Sequence, residues 1–86
     1  MKHEHHPQLV ARLKRAEGHL RSVLAMFEQG RSCVEIAQQM HAVEAAIASA
    51  KRELIHDHIE HCLTGDSGGP VGRDVLLEMK AISKFL

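Results

Sequence analysis

The chain has 86 residues, with eleven Lys and Arg balanced by eleven Asp and Glu, no Trp or Tyr, and only two Phe. This length makes one small domain with an aliphatic core, and so small a chain buries little surface unless copies associate. The neutral charge excludes a uniformly basic nucleic-acid binder, and no segment reads as a signal peptide or a membrane span.

The charge is neutral only on average. Residues 1–31 carry six Lys and Arg against three Glu, whereas residues 53–62 carry three acids and no Lys or Arg. A local basic surface therefore survives. Residues 1–6, MKHEHH, read as a polar, flexible tail, and residues 7–86 as a single domain. Pro7 suits the first turn of a helix, where no N–H is needed. From there Leu9, Val10, Leu13, Leu20, Val23, Leu24 and Phe27 recur at helical spacing until Gly30 ends the helix.

Ser32 opens the second helix. Ser32 to Glu35 fits a capping box, with Ser32 as the cap and Glu35 reaching back. Val34, Ile36, Met40, Val43, Ile47, Leu54, Ile55 and Ile59 carry the pattern to about residue 63. That is a helix of roughly 30 residues and 45 Å, too long for a monomeric globule of this size. Residues 65–70, GDSGGP, form a loop. Val71 or Asp74 opens a third helix with Val75, Leu76, Met79, Ile82 and Phe85 on its apolar face. The fold class is all-α, three helices per chain.

Cys33, His58 and Cys62 are the residues that point to chemistry. His58 and Cys62 are one turn apart on one helical face. Cys33 begins the same helix, roughly 37 Å away at 1.5 Å per residue. One chain cannot close a site from these three, but two antiparallel chains can. Pairing residue 33 with residue 60 puts the crossing near residues 46–47, where Ala42, Ala45, Ala46, Ala48, Ser49 and Ala50 let helices approach closely. The reading is a dimer with two equivalent sites.

Two thiolates and an imidazole are a soft, low-coordinate set that favours Cu(I), with Zn(II) as competitor. Zn(II) prefers four ligands, so three suit Cu(I) better. Cys33 would sit in the first turn of the second helix, where free N–H groups and the helix dipole favour negative charge. His61 shares the face of His58 and Cys62, and as a fourth ligand it would shift preference toward Zn(II) or Ni(II). His3, His5 and His6 in the tail are further candidate nitrogen ligands, with a solvated tail as the plain alternative. A reversible disulfide between Cys33 and Cys62 of two chains, or a persulfide site, is the metal-free alternative, and two inert cysteines with a surface histidine are the ordinary one. His19 and His41 read as plain polar positions.

These residues sit in a chain that resembles the CsoR/RcnR repressors, small all-helical bacterial transcription factors. The resemblance runs from about Gln8 to Phe85 and is most specific at residues 12–23 (RLKRAEGHLRSV), 38–47 (QQMHAVEAAI) and 50–62 (AKRELIHDHIEHC). The Cys–His–Cys separations are those of the copper-sensing branch, which implies that Cys33, His58 and Cys62 are Cu(I) ligands bridging two protomers. Nickel and cobalt branches often place His where Cys62 stands, the formaldehyde branch lacks that thiol, and the persulfide branch lacks His58. Glu78 falls where copper sensors carry a glutamate behind the ligands, and Ser32 stands where they often have tyrosine. The resemblance further implies an antiparallel four-helix-bundle dimer that assembles into a flat dimer-of-dimers tetramer, without a helix-turn-helix. It places Arg12 and Arg52 at DNA, with Lys14, Arg15 and Lys51 as neighbours. Phosphate contacts by such side chains weaken steeply with salt. Ion pairs such as Glu17–Arg21 are the plain alternative on that face.

The expected function is a cytoplasmic, metal-responsive repressor that holds double-stranded operator DNA in the apo state and releases it on binding Cu(I). The alternatives are the same repressor answering Ni(II), Co(II), Zn(II), reactive sulfur or an aldehyde, and a metal-storage module without DNA. No paired carboxylate site, phosphate loop or nucleophile–base pair supports an enzyme.

Overall fold

The computed structural model describes residues 6–64 and 72–86, with the side chains of residues 62–64 outside that set. It comprises α1 (Pro7–Glu28), α2 (Cys33–Thr64) and α3 (Arg73–Ser83), and no strand among the described residues. The expected loop at residues 65–70 and the expected helix start at Val71 lie outside the described residues. Helix α3 begins one residue before Asp74, with Gly72 as its N-cap.

Pro7 occupies the start of α1, where its missing N–H costs no bond. His6 is the N-cap residue, so this end of the expected tail belongs to the helix. The other end closes on Gly30, whose φ of +70° is the left-handed conformation that glycine adopts without penalty. The Arg31 N–H donates to the Met26 carbonyl at 3.0 Å and the Gly30 N–H to the Phe27 carbonyl at 3.2 Å. This paired closure satisfies two carbonyls that the helix end leaves open.

Helix α2 is capped as expected, in part. The Glu35 N–H donates to Ser32 Oγ at 3.1 Å. The Glu35 carboxylate does not reach back to the Ser32 backbone. It accepts instead from the Ser32 hydroxyl at 3.1 Å and from Arg31 at 2.6 Å, because the guanidinium offers the stronger, charged donor. The hydrogen bond from Arg31, then that from the Ser32 hydroxyl, then the Arg31 charge hold the Glu35 carboxyl below its ordinary pKa. Its contribution is therefore present above the ordinary glutamate range and is lost as pH falls through the depressed value.

The core is a narrow seam between α1 and α2. Leu9, Ala16 and Val23 are buried on α1, and Ile36, Val43 and Ala50 on α2. Both sets repeat every seventh residue, and the antiparallel hairpin matches Val23 to Ile36 and Ala16 to Val43. Met26 packs against the Val23, Ile36 and Val43 cluster. Helix α3 packs on α2 and not on α1. Its Val75, Met79 and Ile82 are half-buried, while Leu76 and Phe85 remain exposed.

Much of the expected apolar face is uncovered. Val10, Leu13, Leu20, Leu24 and Phe27 of α1 and Val34, Met40, Ile47 and Leu54 of α2 are all exposed. The radius of gyration is 17.6 Å, against about 12 Å for a compact chain of this length. A two-helix seam has one inner side, so residues on the outer side meet solvent unless another chain covers them. None of the described helices is long and apolar enough to cross a membrane.

Ser32→Ala is expected to lower stability by about 1 kcal/mol, and Gly30→Ala by about 1–2 kcal/mol, in urea unfolding followed by circular dichroism. An unchanged midpoint for both would show that the hairpin connection does not limit stability.

Candidate metal centre and nucleic-acid face

Helix α2 carries Cys33, His58, His61 and Cys62 and sets their separation. Cys33 is its first residue and is exposed. His58 lies near its other end and is only 4% exposed. The helix between them is unbroken over 32 residues, roughly 48 Å in length. A single chain therefore does not bring Cys33 to His58. Cys62 lies in the last turn of α2, and its side chain is outside the described residues, as is His3.

The structure does bring His58 to Glu78. His58 Nε2 is 3.6 Å from Glu78 Oε1, within ion-pair range and too long for a hydrogen bond. The contact ties the C-terminal part of α2 to α3. A carboxylate behind a ligand histidine fixes its ring and raises its basicity. This donor set fits a soft metal ion, provided that a second chain supplies the cysteine. His61 is exposed beside it.

A second group of ligand-type side chains lies on another face of α2. His56, Asp57 and Glu60 place one ligand atom each within 4.8 Å of one another. His56 Nδ1 is 3.6 Å from Glu60 Oε2, and His6 Nδ1 is 3.8 Å from Asp57 Oδ2. The His6–Asp57 contact ties the start of α1 to the end of α2, with His6 as the N-cap residue of α1.

The expected DNA-facing residues divide. Arg12 and Arg15 line one shallow cleft of about 410 Å³ with Ala16, His19, Ala46 and Ser49. Arg12 is held there by two acceptors on α2: the Glu53 carboxylate, and Ser49 Oγ at 2.8 Å. His19 spans the helices too, its Nε2 lying 2.6 Å from Gln39 Oε1. Nothing in the local pattern marked His19 or Glu53, since partners 20 and 41 residues away are set by helix register. Lys14 and Arg52 are exposed. Lys51 lines a different groove, with Leu20, Ala37, Met40, Glu44, Ile47 and Ala48. The expected Glu17–Arg21 pair is present at 3.4 Å.

Comparison with known proteins supplies the frame for this geometry. Residues 5–86 match the family described as metal-sensitive transcriptional repressor. The copper-sensing transcriptional repressor CsoR of Bacillus subtilis (strain 168) is 35% identical over 77 residues, covering 90% of this chain and 76% of that protein. The copper-sensing transcriptional repressor RicR of Mycobacterium tuberculosis (strain ATCC 25618 / H37Rv) is 35% identical over 72 residues, 81% of this chain and 75% of that one. The solved structure of the nickel-responsive transcriptional regulator InrS superposes with a TM-score of 0.84 at 33% identity, covering 100% of this chain and 98% of that one.

Because Cys33 is exposed, iodoacetamide should alkylate it in the reduced, metal-free protein, read by peptide mass spectrometry. Prior addition of a metal that uses the thiolate should suppress the modification. Labelling that is unaffected by every metal tried would remove Cys33 from the ligand set.

Proposed function

The chain belongs to the metal-sensitive transcriptional repressors, the CsoR/RcnR family, and is not an enzyme; from that premise we propose that Cu(I) is its inducer, bound by Cys33 of one subunit with His58 and Cys62 of another. The observation that carries this reading is the length of α2, which keeps its soft donors apart within one chain. Two thiolates and one imidazole favour Cu(I) over harder ions. The similarity to CsoR and RicR, both copper-sensing by name, points the same way.

The groove along α2 supports an antiparallel partner copy. Ala37, Met40, Glu44, Ile47 and Lys51 alternate at three- and four-residue steps, the spacing of a helix–helix seam. A register that sets Cys33 opposite the partner's Cys62 also sets Glu44 opposite the partner's Lys51, since both pairs of numbers have the same sum. It brings Ala37, a small side chain, to the partner's His58. Ile47 and Ala48 then lie at the two-fold axis. Thus Lys51 serves the dimer, while Arg12, Lys14, Arg15 and Arg52 serve DNA. Two such dimers form the tetramer implied by the family resemblance.

The apo assembly holds operator DNA in the cytoplasm. Metal binding bridges the start of one α2 to the end of the other, and Glu78 orients His58 for that contact. The rearrangement is carried to the basic face through α1, which packs on α2 by Val23 and Met26 against Ile36 and Val43. The coupling is reciprocal, so DNA weakens metal binding by the factor by which metal weakens DNA binding. A second reading, Ni(II) with His61 as an added nitrogen ligand, is favoured by the similarity to the nickel-responsive InrS.

Anaerobic titration should give one Cu(I) per chain with thiolate-to-copper absorption, and His58→Ala should weaken it. DNA release is read by anisotropy on a duplex selected from genomic fragments by the metal-free protein. Release by Ni(II) and not by Cu(I) would move the assignment to the second reading, and release by neither would overturn metal induction. For the dimer, Glu44→Lys should lower the mass measured by light scattering, and Glu44→Lys with Lys51→Glu should restore it.

A further inference from the structure

We propose that Glu53 is an internal competitor for DNA phosphate: its carboxylate holds the Arg12 guanidinium while DNA is absent and yields it when a phosphate arrives. The proposal rests on the DNA-binding reading above and assigns Glu53 a role in setting its strength.

Both terminal nitrogens of Arg12 are engaged on α2, one by the Glu53 carboxylate and the other by Ser49 Oγ at 2.8 Å. The pair is not sealed from solvent, since the Arg12 and Glu53 side chains are 35% and 44% exposed. An approaching phosphate therefore has access to the guanidinium. Carboxylate and phosphate both offer charged acceptor oxygens to arginine, so a phosphate can take the place that Glu53 holds on one terminal nitrogen. A half-exposed ion pair is weak enough for such an exchange.

The surroundings favour an anion at this point. Arg12 shares its cleft with Arg15 and His19, and Ser49 forms part of the wall. Of the two described groups hydrogen-bonded to the Arg12 guanidinium, Glu53 is the acidic one. In the free protein Glu53 neutralises Arg12 and keeps its side chain against α2. On DNA the same carboxylate becomes a fixed negative charge close to the backbone phosphates. Both effects oppose binding, and both vanish when the carboxylate is made neutral.

The test is fluorescence anisotropy of a fluorescein-labelled random-sequence duplex with the reduced, metal-free, full-length protein over a range of salt concentrations. Glu53→Gln should tighten binding about two- to five-fold, the scale of a partly exposed ion pair. The plot of log affinity against log salt should steepen toward one further released ion. Glu17→Gln deletes an equal charge from the exposed pair with Arg21 and should change affinity far less. Arg12→Ala should abolish the gain, so that Arg12→Ala with Glu53→Gln binds no tighter than Arg12→Ala. Helical content is checked by circular dichroism; if the glutamine variant fails to fold, Glu53→Asp, whose shorter side chain draws the carboxylate back, carries the same expectation. Equal tightening by Glu17→Gln, a gain that survives loss of Arg12, or unchanged affinity in a folded variant overturns the proposal while leaving the DNA-binding reading intact. Absence of binding by the unaltered protein overturns both.

Discussion

The constraint on which the rest depends is the unbroken length of α2. A helix rises about 1.5 Å per residue and does not fold back, so residues at its two ends cannot meet within the chain. Cys33 begins α2 and His58 lies near its end. Chemistry that needs both ends must recruit a second copy, laid antiparallel. A site built from both ends would also be an interface, its occupancy linked to the geometry of the pair.

The same length explains the incomplete core. An antiparallel hairpin buries one seam, here Leu9, Ala16 and Val23 against Ile36, Val43 and Ala50. Met40, Ile47 and Leu54 lie on α2 outside that seam and stay exposed. A compact globule would bury them by adding layers, but the described residues supply one short further helix, α3. It carries Glu78 to His58, so the buried imidazole sits beside a carboxylate of a separate element.

A third side of α2 is polar and joins it to α1. Ser49 and Glu53 take Arg12, and Asp57 faces His6. These contacts fasten the basic stretch of α1 to α2 in the free protein.

Helix boundaries were legible because they rest on local chemistry: proline at a first turn, glycine in the left-handed conformation at +70°, and a serine hydroxyl that accepts the Glu35 N–H. The ligand-type residues were legible for a similar reason, since the face shared by His58 and Cys62 follows from helical periodicity. The role of His6 and the pairs Arg12–Glu53 and His19–Gln39 were not, because they depend on how two helices slide and rotate against each other. Periodicity also named apolar residues without saying which would be covered; burial is decided by what packs opposite. By itself, then, the amino-acid order determined the three helices, their ends and the separation of the donors, all functions of short-range geometry. Only the tertiary structure decided that Glu78 meets His58, that Glu53 holds Arg12 and that Lys51 turns toward a groove, because those outcomes are set by the register between helices and not by any residue's neighbours in the chain.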